Sequence, residues 1–136
     1  MRRSLPDVTE TELAMLQVLW DRGKATRRQV TDALYPGGDA AHYATVQKLL
    51  ARLEAKGFVR HTKDPQGVLV FTAAVGRDEF IGLRLRAVAE RLCGGSLTPL
   101  MMNLVRAQPL TARELDELQA FLDEQRRQAR PRGKPR

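Results

Sequence analysis

The chain has a single cysteine, Cys93, among 136 residues. An internal disulfide is thereby excluded, and neither His42 nor His61 has a second ligand at metal spacing. No metal or other cofactor is expected, and Cys93, just before two glycines, reads as a small packed hydrophobe. Aromatic residues are only 5% of the chain against 43% hydrophobic residues overall. Leu, Val and Ala must then carry most of the packing, which fits a mainly helical protein. No apolar run approaches the roughly 18 to 20 residues that cross a bilayer, and the best stretch, FIGLRLRAVAERL, carries an arginine every few residues. The N-terminal MRRSLPDVTE has two arginines but no apolar core behind them, so it does not read as a signal peptide. A cytoplasmic protein without membrane insertion is the expectation. Catalytic signatures are missing as well: there is no phosphate loop, no H-E-x-x-H pair, no nucleophile elbow and no evident triad partner for either histidine. An enzyme is not expected.

Acidic residues are scarce where basic ones gather. The net charge is +7, but residues 126–136, RRQARPRGKPR, hold six Lys or Arg and no acid, leaving 17 bases against 16 acids elsewhere. The global charge therefore says little about a nucleic-acid partner. Its distribution says more: from Lys24 to Lys63, eight bases (Lys24, Arg27, Arg28, Lys48, Arg52, Lys56, Arg60, Lys63) face three acids (Asp32, Asp39, Glu54), a local +5.

Punctuation along the chain gives the order of elements. Thr9 and Glu12 have the spacing of a capping box, followed by Leu13, Leu16, Leu19 and Trp20 on one face of a first helix that stops at Gly23. Thr26 and Gln29 repeat the relation for a second helix with Val30, Ala33 and Leu34 inward, ended by YPGGD. From about Asp39 or Ala40 to Lys56 a third helix places Val46, Leu49, Leu50 and Leu53 at i, i+3, i+4 and i+7, and Gly57 closes it. FVRHTK and VLVFTA, joined by DPQG, form a β-hairpin. Helical periodicity returns after Gly76 with Ile81, Leu85, Val88 and Leu92, then with Leu97, Leu100, Met101, Leu104 and Val105, and finally, after a third capping pair of Thr111 and Glu114, with Leu115, Leu118, Phe121 and Leu122.

Three helices and a hairpin define the winged form of the helix-turn-helix, in which the third helix enters a major groove and the hairpin flanks the backbone. The expected fold class is mainly α with a small β-hairpin: an N-terminal winged helix-turn-helix over 1–75, a C-terminal helical dimerisation domain over 76–128, and a disordered basic tail over 129–136. At about 100° per residue, the third helix turns Ala44, Thr45, Lys48, Ala51, Arg52 and Ala55 away from its buried stripe, with Gln47 on the flank. Small residues there permit close approach to base edges, Thr45 and Gln47 offer polar groups, and Lys48 and Arg52 can reach guanine or phosphate. Arg60 and Lys63 on the first hairpin strand, and Arg27 and Arg28 at the start of the second helix, are candidates for phosphate. His61 reads equally well as plain surface, and the tail as added DNA attraction or as a solvated terminus.

LPDVTETELAMLQVLWDRGKAT, ATVQKLLARLEAKGFVRHTKD and GGSLTPLMMNLVRAQPLTARELDELQAFL, in this order and spacing, resemble the penicillinase-repressor family of bacterial transcription factors (BlaI, MecI and CopY types) over nearly the whole chain. The resemblance implies a homodimeric transcriptional repressor that binds a palindromic operator in double-stranded DNA. It carries the family's DNA-reading positions onto Tyr43, Ala44, Thr45, Gln47, Lys48 and Arg52, with Ala44 standing where some members have lysine. In β-lactam-responsive members a membrane sensor metalloprotease leads to cleavage between Asn and Phe; the equivalent position here is Asn103–Leu104, which departs from that pattern. Copper-responsive members carry clustered C-terminal cysteines, which this chain lacks.

The residues themselves give the dimer a physical reason. Ile81, Leu85, Val88 and Leu92, Leu100 and Leu104, and Leu115, Leu118 and Leu122 lie on helices too few to close a core within one chain, so they are expected to pair across a two-fold axis. The alternative is a winged helix that binds protein and no DNA, which should expose an apolar patch in place of a basic one.

Overall fold

The computed structural model describes residues 6–129. Along the chain lie α1 (Glu10–Arg22), β1 (Ala25–Thr26), α2 (Arg27–Leu34), α3 (Ala40–Ala55), β2 (Val59–Lys63), β3 (Leu69–Ala73), α4 (Arg77–Leu92), α5 (Leu97–Ala107) and α6 (Ala112–Gln128). The fold is mainly α with a small antiparallel sheet, a winged helix-turn-helix followed by helices alone. The basic tail foreseen over 129–136 lies, apart from Ala129, outside the described residues.

Local chemistry sets the helix starts. Thr9 accepts from the Glu12 amide at 3.1 Å while the Glu12 carboxylate accepts from the Thr9 amide at 3.0 Å. Thr26 with Gln29, and Thr111 with Glu114, close the same reciprocal pair. A fourth box starts α3: Asp39 accepts from the His42 amide at 3.1 Å, and His42 Nδ1 accepts from the Asp39 amide at 3.2 Å. Each box satisfies two backbone donors that would otherwise have no partner in the first turn.

Two glycines shape the approaches to α3. A Cβ on Gly38 would stand 2.8 Å from the Tyr35 carbonyl oxygen, so the α2–α3 turn is closed to larger residues. Gly57 has φ of 88°, which lets the chain leave α3 directly into β2.

The sheet has three strands in the order β1-β3-β2, all antiparallel. The hairpin was foreseen; β1 was not. Its two residues pair Ala25 with Phe71 and Thr26 with Val70. Asp64 folds the wing turn by accepting, through Oδ1, from the Gln66 and Val68 amides at 2.9 Å each.

One core joins these elements: Met15, Leu16 and Leu19 of α1, Val30 of α2, Val46, Leu50 and Leu53 of α3, Phe71 of β3, and Phe58, Val59, Val75 and Phe80. Some of the expected inward residues sit elsewhere. Leu13, Trp20, Leu34 and Leu49 pack only partly against this core, and Met15 is fully buried in α1. In α2, Ala33 is exposed and Thr31 is buried instead, its hydroxyl satisfied by donating to the Arg27 carbonyl at 2.8 Å.

Glu12 has a second role beyond its cap. Its side chain is fully buried, and Oε1 also receives the Lys56 ammonium at 2.8 Å. Burial pushes the Glu12 carboxyl up, but the Lys56 hydrogen bond, the Thr9 amide and the positive charges of Lys56 and Arg52 outweigh it and hold the group below its usual value. Lys56 also donates to the Asp7 carbonyl at 2.7 Å, tying the end of α3 to the segment before α1.

The chain divides into two compact units, one ending at Val88 and the other beginning at Ala89, so that α4 contributes to both. In α5 and α6 no described residue is fully buried. Among the described residues, no helix is long and apolar enough to cross a membrane.

Candidate nucleic-acid interface

Val46, Leu50 and Leu53 are wholly buried, and this fixes which side of α3 faces out. Ala44, Thr45, Gln47, Lys48, Ala51 and Arg52 are all exposed, as the sequence periodicity requires. Tyr43 is half-buried at the edge of this surface. The Thr45 hydroxyl donates to the Ala41 carbonyl at 3.0 Å, so toward solvent it offers acceptor lone pairs and a methyl group.

The two arginines that begin α2 are held by aromatic rings. Arg28 is exposed, with its guanidinium carbon 5.3 Å from the centre of the Tyr43 ring, which links α2 to α3. Arg27 is partly buried, 5.8 Å from the Phe71 ring centre, and its Nε has no hydrogen-bond partner among the described residues.

The wing cations do not share one face. Alternation along β2 puts Lys63 with His61 and Val59, and Arg60 with Thr62 on the reverse side. His61 is opposite Phe71 in the ladder, with ring centres 5.6 Å apart, and its Nδ1 lies 2.7 Å from Glu54 Oε1. The sequence leaves His61 open between a wing contact to DNA and plain surface; in the structure its side chain joins the wing to α3.

This contact bears on the electrostatics of the surface. Of the three acids between Lys24 and Lys63, Glu54 is engaged by His61, and Asp39 by the His42 amide. That backbone hydrogen bond is the main reason the Asp39 carboxyl lies below its usual value; burial opposes it, and smaller effects of the His42 side chain and the Ala41 and Asp39 amides lower it further. By contrast Lys24, Arg27, Arg28, Lys48, Arg52, Arg60 and Lys63 have no carboxylate partner among the described residues. Of the eight cations, Lys56 alone is neutralised, and it is turned to the interior. Surface charges that serve only solubility normally intermix the two signs; here one sign is left uncompensated over a helix face and its flanks. Lys24, exposed just before β1, belongs to this set although only its charge marked it in the sequence.

A winged helix with a stripe-anchored third helix and unpaired cations around it defines a DNA-binding protein of the helix-turn-helix class. The model of the penicillinase repressor family matches residues 8–124, and the chain belongs to that family of DNA-binding transcriptional repressors. It is 25% identical over 122 residues to the penicillinase repressor of Bacillus licheniformis, covering 90% of this chain and 94% of the relative. It is equally 25% identical over 122 residues to an uncharacterised 16.5 kDa protein from the ptsI 3' region of Latilactobacillus sakei, covering 82% of that protein. Among solved structures it is similar to YusO of Bacillus subtilis, with a TM-score of 0.47, 17% identity and coverage of 90% of this chain and 77% of that one. It is also similar to the multiple antibiotic resistance repressor MarR, with a TM-score of 0.44, 22% identity and coverage of 87% and 76%.

Proposed function

We propose that the chain acts in the cytoplasm as a homodimeric repressor of a palindromic operator, with α3 in the major groove and the β2–β3 hairpin beside the DNA backbone. The observation that carries this reading is the outward face of α3, where Thr45, Gln47, Lys48 and Arg52 are exposed and neither cation is paired among the described residues. Thr45 and Gln47 supply groups for base edges; Lys48, Arg52, Lys63, Arg28 and Arg27 supply attraction to phosphate, and Arg60 flanks from the reverse side of the wing. Selection of bound fragments from genomic DNA tests it. Palindromic sites, with affinity that falls steeply as salt rises, are expected; binding insensitive to salt would refute it.

The dimer is inferred from exposed apolar surface in the helical segment after residue 75. Ile81, Val88, Leu92, Leu104, Leu115 and Leu122 are exposed in the single chain, with Leu92 at 78%, while Leu85, Leu100 and Leu118 are half-buried. Leu83, Leu97, Met101, Met102 and Phe121 add to this surface. So much apolar area on so few helices calls for a covering partner, and a second copy supplies matching stripes. Sedimentation at micromolar concentration is expected to give twice the chain mass. Glutamate at both Leu118 and Leu122 should weaken the dimer by at least about 10-fold, roughly 1.4 kcal/mol, without unfolding the winged helix.

Asn103–Leu104 lies inside α5, where Asn103 Nδ2 donates to the Pro99 carbonyl at 2.8 Å and Arg106 donates to Asn103 Oδ1 at 3.4 Å. Release by a sensor metalloprotease cutting there would first require that part of α5 to unwind. The winged-helix scaffold that binds protein alone has less support, because the surface around α3 is basic where that reading needs an apolar patch.

A further inference from the structure

The passage from the sheet to α4 is short, and its residues are held. Trp20, on the last turn of α1, donates its indole N–H to the Val75 carbonyl at 2.8 Å. The Ala74 amide donates to the Phe58 carbonyl at 2.7 Å, and Val75 itself is buried. Arg77, the first residue of α4, lies with its guanidinium carbon 5.4 Å from the Trp20 ring centre and donates to Asp21 Oδ1 at 2.8 Å. One turn on, buried Phe80 has its ring centre 5.6 Å from that of Trp20 and 5.5 Å, edge-on, from that of Phe58. Junctions between a recognition head and an adjoining segment are commonly exposed and loosely held; this one is fastened by two hydrogen bonds, an ion pair and two ring contacts. The boundary between the compact units falls within α4, at Val88, and not at the junction.

We infer that Trp20, Asp21 and Arg77 are positioning residues: they make the first part of α4 a rigid extension of the DNA-reading head, and so set the half-site spacing that the dimer accepts. This rests on the dimeric-repressor reading above. The lever explains why so small a device matters. From Arg77 to Val88 the helix runs about 17 Å, at roughly 1.5 Å per residue. A 10° change at its root therefore displaces the far end by about 3 Å, close to the roughly 3.4 Å between base pairs. A fastened root thus holds spacing to a single base pair, whereas a loose one lets each head find its half-site independently.

The test uses full-length wild type, Arg77→Gln, Trp20→Phe and the double variant. Arg77→Gln removes an exposed ion pair and cannot threaten the core; Trp20→Phe keeps a ring against Phe80 but loses the indole donor. The probes are duplexes carrying one half-site recovered by selection, and two half-sites at the selected separation and at one and two base pairs shorter or longer. Wild type is expected to favour one separation by at least about 10-fold. The double variant should bind the single half-site within about twofold of wild type yet discriminate among separations by less than about threefold, with Arg77→Gln intermediate. A double variant that keeps the full spacing preference overturns the inference while leaving the dimer intact, and so does one that weakens equally on every probe. Wild type that binds paired half-sites no better than one overturns the dimer reading and this inference together.

Discussion

Replacing Lys48 and Arg52 together with alanine is expected to weaken operator binding by about 10³-fold and to leave the fold in place. Each side chain is exposed on α3 without an ion-pair partner among the described residues, and Arg52 is only the weakest of the influences on Glu12, so the change in stability should stay within about 0.5 kcal/mol. In a dimer four cations disappear from the interface. At about 1 kcal/mol each, the low end for contacts to a base or phosphate, the loss is about 4 kcal/mol, or roughly 10³-fold. The dependence on salt separates the two kinds of contact. If all four meet phosphate, the plot of log affinity against log salt should become shallower by about 3 to 4; if they read guanine, affinity falls most on the selected site and discrimination against mismatched sites drops with it. Fluorescence anisotropy over a salt series on selected and scrambled duplexes distinguishes these, and a variant that binds as tightly as wild type refutes the interface.

Lys56→Met should have the largest effect on stability. It keeps the aliphatic stem but removes the ammonium that neutralises fully buried Glu12, whose other oxygen, Oε2, has no partner among the described residues. An uncompensated buried carboxylate costs about 3 kcal/mol, which should lower the midpoint of thermal unfolding by roughly 10 °C or more. Adding Glu12→Gln to this variant should recover part of the loss, since the stranded charge is then gone. The pH dependence has a definite sign. In wild type the folded-state pKa of Glu12 is lowered, so its contribution is present above the unfolded-state value and is lost as pH falls through the folded one. In Lys56→Met burial is opposed only by the Thr9 amide and the charge of Arg52, the folded-state pKa rises, and the variant should gain stability relative to wild type as acid protonates Glu12. Thermal denaturation from pH 7 to pH 4 measures both; parallel curves would refute the pairing.

These two cases also separate what the sequence carries from what it does not. The caps at Thr9, Thr26 and Thr111 were legible because donor and acceptor are three residues apart. The cap at Asp39 obeys the same geometry, but its partner is His42, a residue type outside the usual Glu or Gln. The outward face of α3 was legible because a four-residue apolar stripe fixes its rotation, even though Leu49 proved only partly buried. Pairs distant in sequence were not legible: Glu12 and Lys56 are 44 residues apart, and Trp20 and Val75 are 55 apart. Glu54 and His61 are closer, but the turn at Gly57 had to be known before they could be seen to meet. β1 escaped notice because two residues show no alternation, and its existence depends on the edge that β3 provides.

Thr26 belongs at once to that short strand and to the start of α2: it stands opposite Val70 in the sheet while its side chain and amide close the capping box with Gln29. A residue used twice in this way couples two elements that could otherwise open separately. Unpairing β1 would cost α2 its first-turn bonds, and fraying α2 would pull the strand from the sheet. The hairpin and the helix-turn-helix are thus expected to exchange their amide hydrogens as one cooperative unit, with protection near that of global unfolding, so that thermal fluctuation does not blur the angle between wing and helices.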